Sequence, residues 1–229
     1  MARRPLLRQR AWGEAILERL DETYVPPELT RHVRAFKAAH AALTSATKRA
    51  TVARERRDGA FAAVGRADGS LERAVLTLGK RMAAAGLGPA KDPFADRSPL
   101  RPAQIVALEP QRAAAEAVRI VARLKHTKVP APVKKAMAAC TDAARGIGAA
   151  SARVDAAQKE YARALDARDA LLSKWTTTLS RLQRRASQVW SESPENLARV
   201  FASPGDDEPE TVFDLRPVLP NLMNGVHTN

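Results

Sequence analysis

Apolar residues recur at alternating three- and four-residue intervals from Val133 to Val189, and no proline interrupts this stretch. This heptad spacing places the apolar side chains on one face of a helix. It predicts a single helix roughly 85 Å long, which needs partners along its seam because isolated helices are marginal in water. The seam positions are Val133, Met137, Cys140, Ala144, Ile147, Ser151, Val154, Gln158, Tyr161, Leu165, Arg168, Leu172, Trp175, Leu179, Leu182, Ala186 and Val189.

A second, weaker heptad pattern runs from Pro27 to about Ala85. It includes Phe36 and Leu78 near its ends and places Arg54 and Phe61 on the seam in its middle. Around Thr47–Arg57 the apolar stripe drifts onto the alanines Ala42, Ala46, Ala50 and Ala53. Gly65 and the Asp68-Gly69-Ser70 sequence weaken the helix, so we predict one long helix with a weak point there.

Shorter elements surround these two patterns. An amphipathic helix is predicted over Ala11–Glu22, a second from about Ala103 to Lys125 that Pro110 kinks or splits, and a last one over roughly 194–202. The segment 86–102 contains four prolines and two glycines, which predicts a linker. The expected organisation is a basic arm (1–10), a first helical repeat (11–86), the linker (87–102), a second helical repeat (103–202), and an acidic, then apolar extended tail (203–229).

The two halves of the chain resemble each other. The pattern I-x-x-R-L-x-x-T-x-V-P occurs at 16–26 and again at 120–130, an offset of 104. Further on, the better offset is 111, and the difference of seven keeps the heptad in phase. We therefore predict an all-α fold with an internal duplication: a short helix, a Val-Pro corner and a long helix, twice. The long helices would pair antiparallel in an elongated, coiled-coil-like bundle.

The net charge of +13 is unevenly distributed, because residues 1–200 are basic whereas residues 201–229 carry five acids and one arginine. One interpretation is an anionic partner such as nucleic acid. The other is an arginine-rich, solvated helix surface, which we favour because no aromatic platform accompanies the basic residues.

The sequence contains few residues suited to catalysis. Cys140 is the single cysteine and lies on the apolar seam, which is typical of a buried structural thiol. Neither His32 nor His40 is followed by a metal-ligating residue three or four positions later. We therefore expect no metal, no cofactor and no enzymatic activity. The N-terminus lacks the apolar segment of a signal peptide, and no apolar run is long enough for a membrane span, so we expect a cytoplasmic protein.

Two sets of residues are candidates for binding. The first would contact an anionic partner and comprises Arg3, Arg4, Arg8, Arg10, Arg54, Arg56, Arg57, Arg181, Arg184 and Arg185. The second is a tail that would dock on this chain or on a neighbour and comprises Val212, Phe213, Leu215, Val218, Leu219 and Leu222.

These features favour a non-catalytic scaffold that binds another protein or a second copy of itself. In the second case the protein would form a homo-oligomer. The alternative is a basic nucleic-acid-binding protein that uses its Arg/Lys-rich helices and N-terminal arm. A third hypothesis is an amphipathic coat protein on an apolar particle or a membrane surface. The motifs indicate no known family.

Overall fold

The computed structural model describes residues 6–203, and this part of the chain consists of six α-helices without a strand. The prediction of an all-α fold is confirmed. The helices are α1 (Leu6–Asp21), α2 (Pro27–Ala84), α3 (Pro102–Val106), α4 (Pro110–Leu124), α5 (Ala131–Val189) and α6 (Pro194–Phe201).

The two long helices, α2 and α5, pack against each other in antiparallel orientation. Phe36, near the start of α2, shares a core with Trp175 and Leu182 of α5, whereas Leu78, near the end of α2, shares a core with Val133. With 58 and 59 residues, the helices each span about 87 Å. The predicted elongated, antiparallel bundle is confirmed, and each long helix is the partner that the other requires.

One end of the rod, which we call the tryptophan end, is closed by α1 and α6. The Trp175 ring lies at its centre, with the ring centroid 5.7 Å from that of Phe36 and 6.4 Å from that of Trp12. Contacts of this kind between aromatic rings add to the stabilisation from apolar burial. The buried residues of this core are Ile16, Leu20, Leu29, Phe36, Leu43, Trp175, Leu179, Leu182, Ala186, Trp190 and Val200.

The other end, which we call the linker end, is closed by α3, α4 and the connection 85–101. Helix α2 ends at Ala84, and Gly86, two residues later, has a positive φ of 67° that suits glycine. The Gly86 and Leu87 amides then donate to the Ala83 and Met82 carbonyls, which completes a Schellman cap. The proline- and glycine-rich connection packs on the core through Phe94, which is fully buried.

Between the two ends the rod narrows to a waist made by the α2–α5 pair. Its buried side chains are small, namely Ala46, Ala50 and Ala53 on α2, and Ala150, Val154 and Ala157 on α5. Arg54 and Phe61, which strict heptad spacing places on the seam, are exposed instead. The seam drifts because an α-helix repeats every 3.6 residues and not every 3.5. Helix α2 nevertheless continues unbroken through Gly65 and Gly69.

The shorter helices differ from the predicted boundaries. Helix α1 begins at Leu6, five residues before the amphipathic pattern does, so the second half of the predicted basic arm is helical. Pro110 begins α4 as its first residue and thereby separates it from α3, since proline has no amide hydrogen to continue the α3 helix.

The two halves contain an equivalent local contact. Arg57 donates two hydrogen bonds to the neighbouring Asp58 carboxylate, and Arg168, 111 positions later, donates two to Asp169. The corners at 22–26 and 125–130 are both non-helical and both lead into a long helix. The duplication itself stays a prediction.

Candidate functional site

The predicted arginine run at the waist takes part in contacts between and along the long helices. Arg56 on α2 forms an ion pair with Glu160 on α5, with Nη1 2.6 Å from Oε1. The Arg57 guanidinium lies 4.6 Å from the ring centroid of Tyr161, and Arg54 pairs with Asp58 at 3.7 Å. Arg54 and Arg56 are exposed, whereas Arg57 and Tyr161 are partly buried. The exposed ion pairs are worth little stability, but together the three contacts occupy the side chains that the sequence offered to a partner.

The other predicted arginines lie at the tryptophan end. Arg181 and Arg184 are exposed and form no ion pair with any residue in the described part of the chain. Arg185 donates a hydrogen bond to Gln188, and Arg10 pairs with Glu14 at 3.6 Å. Arg8 is exposed on α1. The structure thus separates the predicted basic residues into a waist group and an end group.

Several predicted binding residues fall outside residues 6–203. They are Arg3 and Arg4 of the arm, and the tail residues Val212, Phe213, Leu215, Val218, Leu219 and Leu222.

A buried histidine lies in the core of the tryptophan end. The Trp175 indole N–H donates a hydrogen bond of 3.2 Å to His40 Nδ1, so the neutral imidazole carries its proton on Nε2. Burial lowers the pKa of His40; the Glu14 carboxylate opposes this shift, and the Arg10 guanidinium adds to it. A protonated ring would place an N–H against the Trp175 N–H, so this contact favours the neutral form.

The buried His40 predicts that the protein loses stability in mild acid. The unfolded chain, with a histidine pKa near 6.5, binds the proton more readily than the folded chain. The free energy of unfolding should be constant above about pH 6.5 and should fall as the pH drops from there through the lowered pKa. Urea unfolding followed by tryptophan fluorescence between pH 5 and 8 measures this, and a His40→Gln variant should show a smaller pH dependence.

Cys140 is fully buried in the core of the linker end. Burial raises the pKa of its thiol to about 12, so the reactive thiolate is scarce at neutral pH. We expect the folded protein to react with a maleimide many times more slowly than the urea-unfolded protein, as mass spectrometry would measure. Equal rates for the two states would contradict the buried position of this residue.

A group of exposed cations lies at the linker end, where the sequence did not indicate a site. Seven exposed cations, which we call the basic patch, come from two parts of the chain: the end of α2 with the connection that follows it, and the corner between α4 and α5 with the first turns of α5. They are Lys80, Arg81, Lys91, Lys125, Lys128, Lys134 and Lys135. The core that joins Leu78 and Met82 to Leu124 and Val133 brings these two parts of the chain together.

Six of the seven cations of the basic patch have no acidic residue within six positions in the sequence, whereas Lys91 is followed directly by Asp92. The segments 73–91 and 117–141, which contribute them, contain no aspartate or glutamate. Within residues 6–203, every ion pair is formed by an arginine outside the patch. The acid-free run 117–141 was the sequence signal for this site, but averaging charge over longer segments conceals it.

The waist also carries an open, shallow groove, bordered by Arg56, Arg66, Arg153 and Glu160 above a floor of alanines. Its opening to solvent exposes these charges to screening, so it offers weaker electrostatic binding than an enclosed site.

Nowhere in the described chain do three His, Cys, Asp or Glu side chains gather in a way that would hold a metal ion. None of the described helices combines the length and apolar content needed to cross a bilayer. Comparison with models of protein families, with curated proteins and with solved structures finds no match for this chain.

Proposed function

We propose that the protein is a non-catalytic, self-assembling scaffold, a helical rod that presents interaction surfaces at two ends roughly 85 Å apart. One observation carries this proposal: α2 and α5 bury their apolar seams against each other. The seams are therefore occupied within the chain, and partners are left with the exposed surfaces of the ends and the tail.

Among the described residues, His40 and Cys140 have clearly shifted pKa values, and both support a non-catalytic role. His40 is held by Trp175 inside one core, and Cys140 is held as a thiol inside the other. Both shifts arise from burial in packed cores, which is the effect expected of structural residues.

The partner in this proposal is a second copy, joined through the apolar tail, and we expect the assembly in the cytoplasm. Phe213, Leu215 and Leu219 follow an acidic run that favours docking on a basic neighbour. Sedimentation velocity of the full chain should show a mass that rises with concentration. Replacing these three residues with serine should lower the association constant by at least about tenfold, since each loses apolar contact area.

A matched control replaces three exposed apolar residues of the rod, Val52, Phe61 and Val118, with serine. This variant should associate as the unmodified chain does. A monomeric mass at every concentration would contradict self-assembly through the tail. An equal decrease of the association constant in the two variants would contradict it as well.

A further inference from the structure

We propose that the basic patch at the linker end binds the phosphate backbone of double-stranded nucleic acid, without sequence preference. The inference rests on the proposal that the exposed ends of the rod carry its function, and it names the partner chemistry of one end.

The cations of the basic patch remain available to a partner. In the described part of the chain, the side chains of the basic patch make no hydrogen bond or ion pair, in contrast to the waist arginines. The chain has 28 arginines and ten lysines, and six of the ten lysines belong to this patch. A lysine ammonium is a flexible point charge that binds phosphate without a fixed geometry. Such a surface suits sequence-independent contact with a polyanion.

The positive charge of the basic patch opposes the stability of α5. Lys134 and Lys135 lie in the first turns of a 59-residue helix that has no acidic residue in its first turn and no capping side chain. Positive charge at a helix N-terminus is unfavourable because the helix dipole places its positive end there. An anionic partner would compensate the unfavourable interaction between these lysines and the helix dipole. Binding of such a partner should therefore stabilise the start of α5.

The acidic tail of the same chain cannot neutralise the patch. The Trp12 indole N–H donates to the Phe201 carbonyl, and Trp12 lies against Trp175, so Phe201 lies at the tryptophan end. Lys135 is about 60 Å along α5 from Trp175. The acidic run Asp206–Glu210 reaches at most about 32 Å from Phe201 even when fully extended. The partner of the patch therefore comes from outside the molecule.

The surface of the basic patch suits the backbone of a duplex better than a single strand. Proteins that bind single strands stack bases on exposed aromatic side chains. Within the described residues, the linker end has Phe94 in place of an exposed Phe, Tyr or Trp, and Phe94 is fully buried, while His126 is exposed beside Lys125. The patch thus offers charge without a large aromatic side chain for base stacking, which fits phosphates on the outside of a duplex.

The experiment measures fluorescence anisotropy of a labelled 20-base-pair DNA duplex with the full chain over a series of salt concentrations. One variant carries Lys125→Gln, Lys128→Gln, Lys134→Gln and Lys135→Gln. The control carries Lys37→Gln, Lys48→Gln, Lys159→Gln and Lys174→Gln, the four lysines outside the patch, all exposed. Both variants lose four charges, so total charge is matched.

We expect the patch variant to bind the duplex at least about tenfold more weakly at 100 mM salt. The slope of its log binding constant against log salt concentration should decrease by an amount that corresponds to about three phosphate contacts. The control should change affinity by less than about threefold. The patch variant should also keep its helicity and melt no earlier than the unmodified chain, because the helix dipole disfavours the cations it removes.

Three results would overturn the proposal. One is equal weakening in both variants, which would mean that net charge alone governs binding. Another is no binding of the duplex by the unmodified chain at 20 mM salt. Displacement of the duplex by polyglutamate as readily as by unlabelled duplex would also overturn it, because the patch would then suit an acidic protein equally well. The sedimentation behaviour of the unmodified chain is a separate readout, so absence of duplex binding together with intact self-association would refute this inference alone.

Discussion

Replacing Phe36 with alanine is expected to lower the free energy of unfolding by about 3–5 kcal/mol. Phe36 is fully buried at the tryptophan end, and its ring packs 5.7 Å from that of Trp175, between centroids. The substitution removes apolar contacts and leaves a cavity that the surrounding helices fill only in part. Urea unfolding monitored by circular dichroism gives the difference in free energy.

Phe61 is the matched control, because it lies on the same helix and strict heptad spacing puts both residues on the seam. Its exposed fraction is 48%, since the buried stripe has drifted onto alanines at the waist. Phe61→Ala should therefore cost no more than about 1 kcal/mol. Similar losses for the two substitutions would contradict the register of α2 described above.

Replacing Gly13 with alanine is expected to destabilise the protein by about 1–3 kcal/mol, through overpacking. A Cβ atom at this position of α1 would overlap His40 Nδ1 and lie 2.6 Å from His40 Cε1 and 3.2 Å from Trp175 Cζ2. The imidazole cannot move aside freely, because its Nδ1 accepts the hydrogen bond from Trp175. Thermal unfolding should show a lower midpoint, because the overlap weakens the packing of α1 on the core.

Gly65→Ala is the opposite case. A Cβ atom there meets nothing within 4 Å, and the residue lies in the interior of α2. Alanine should stabilise the protein by about 0.5–1 kcal/mol, because glycine loses more backbone freedom in a helix. A stabilising Gly13→Ala or a destabilising Gly65→Ala would contradict the packing described for these positions.

The long helices were predictable because their apolar repeat is regular. Along α5, the predicted seam residues from Val133 to Ile147 and from Trp175 to Ala186 are buried. Helix α2 survives Gly65 and Gly69 because packing against α5 outweighs a propensity cost of about 1 kcal/mol per glycine. The buried face in the middle of α2 was harder to predict, because alanines on two neighbouring stripes leave the position of the seam ambiguous.

The ends of the rod were less accessible from sequence. Phe94 lies in a segment that proline and glycine mark as a linker, yet it packs in the core. Its burial depends on tertiary contacts with α2 and α4, which local pattern does not encode. The basic patch was missed for the same reason: Lys80 and Lys134 are 54 positions apart, and only the antiparallel pairing of α2 and α5 brings them to one end.

The central claim is that α2 and α5 of one chain pair antiparallel, and pulsed electron spin resonance between two spin labels tests it most directly. In a Cys140→Ala background, one doubly labelled chain carries Lys37→Cys and Thr177→Cys, and another carries Lys37→Cys and Arg145→Cys. All three labelled positions are exposed, and excess unlabelled chain suppresses distances between molecules.

The first pair should give a distance below about 25 Å, because positions 37 and 177 lie side by side on neighbouring helices. The second should give a distance near 50 Å, because 177 and 145 are 32 residues apart along α5. The reverse order, with the 37–145 pair short and the 37–177 pair long, would mean parallel pairing and would contradict the fold on which every proposal above depends.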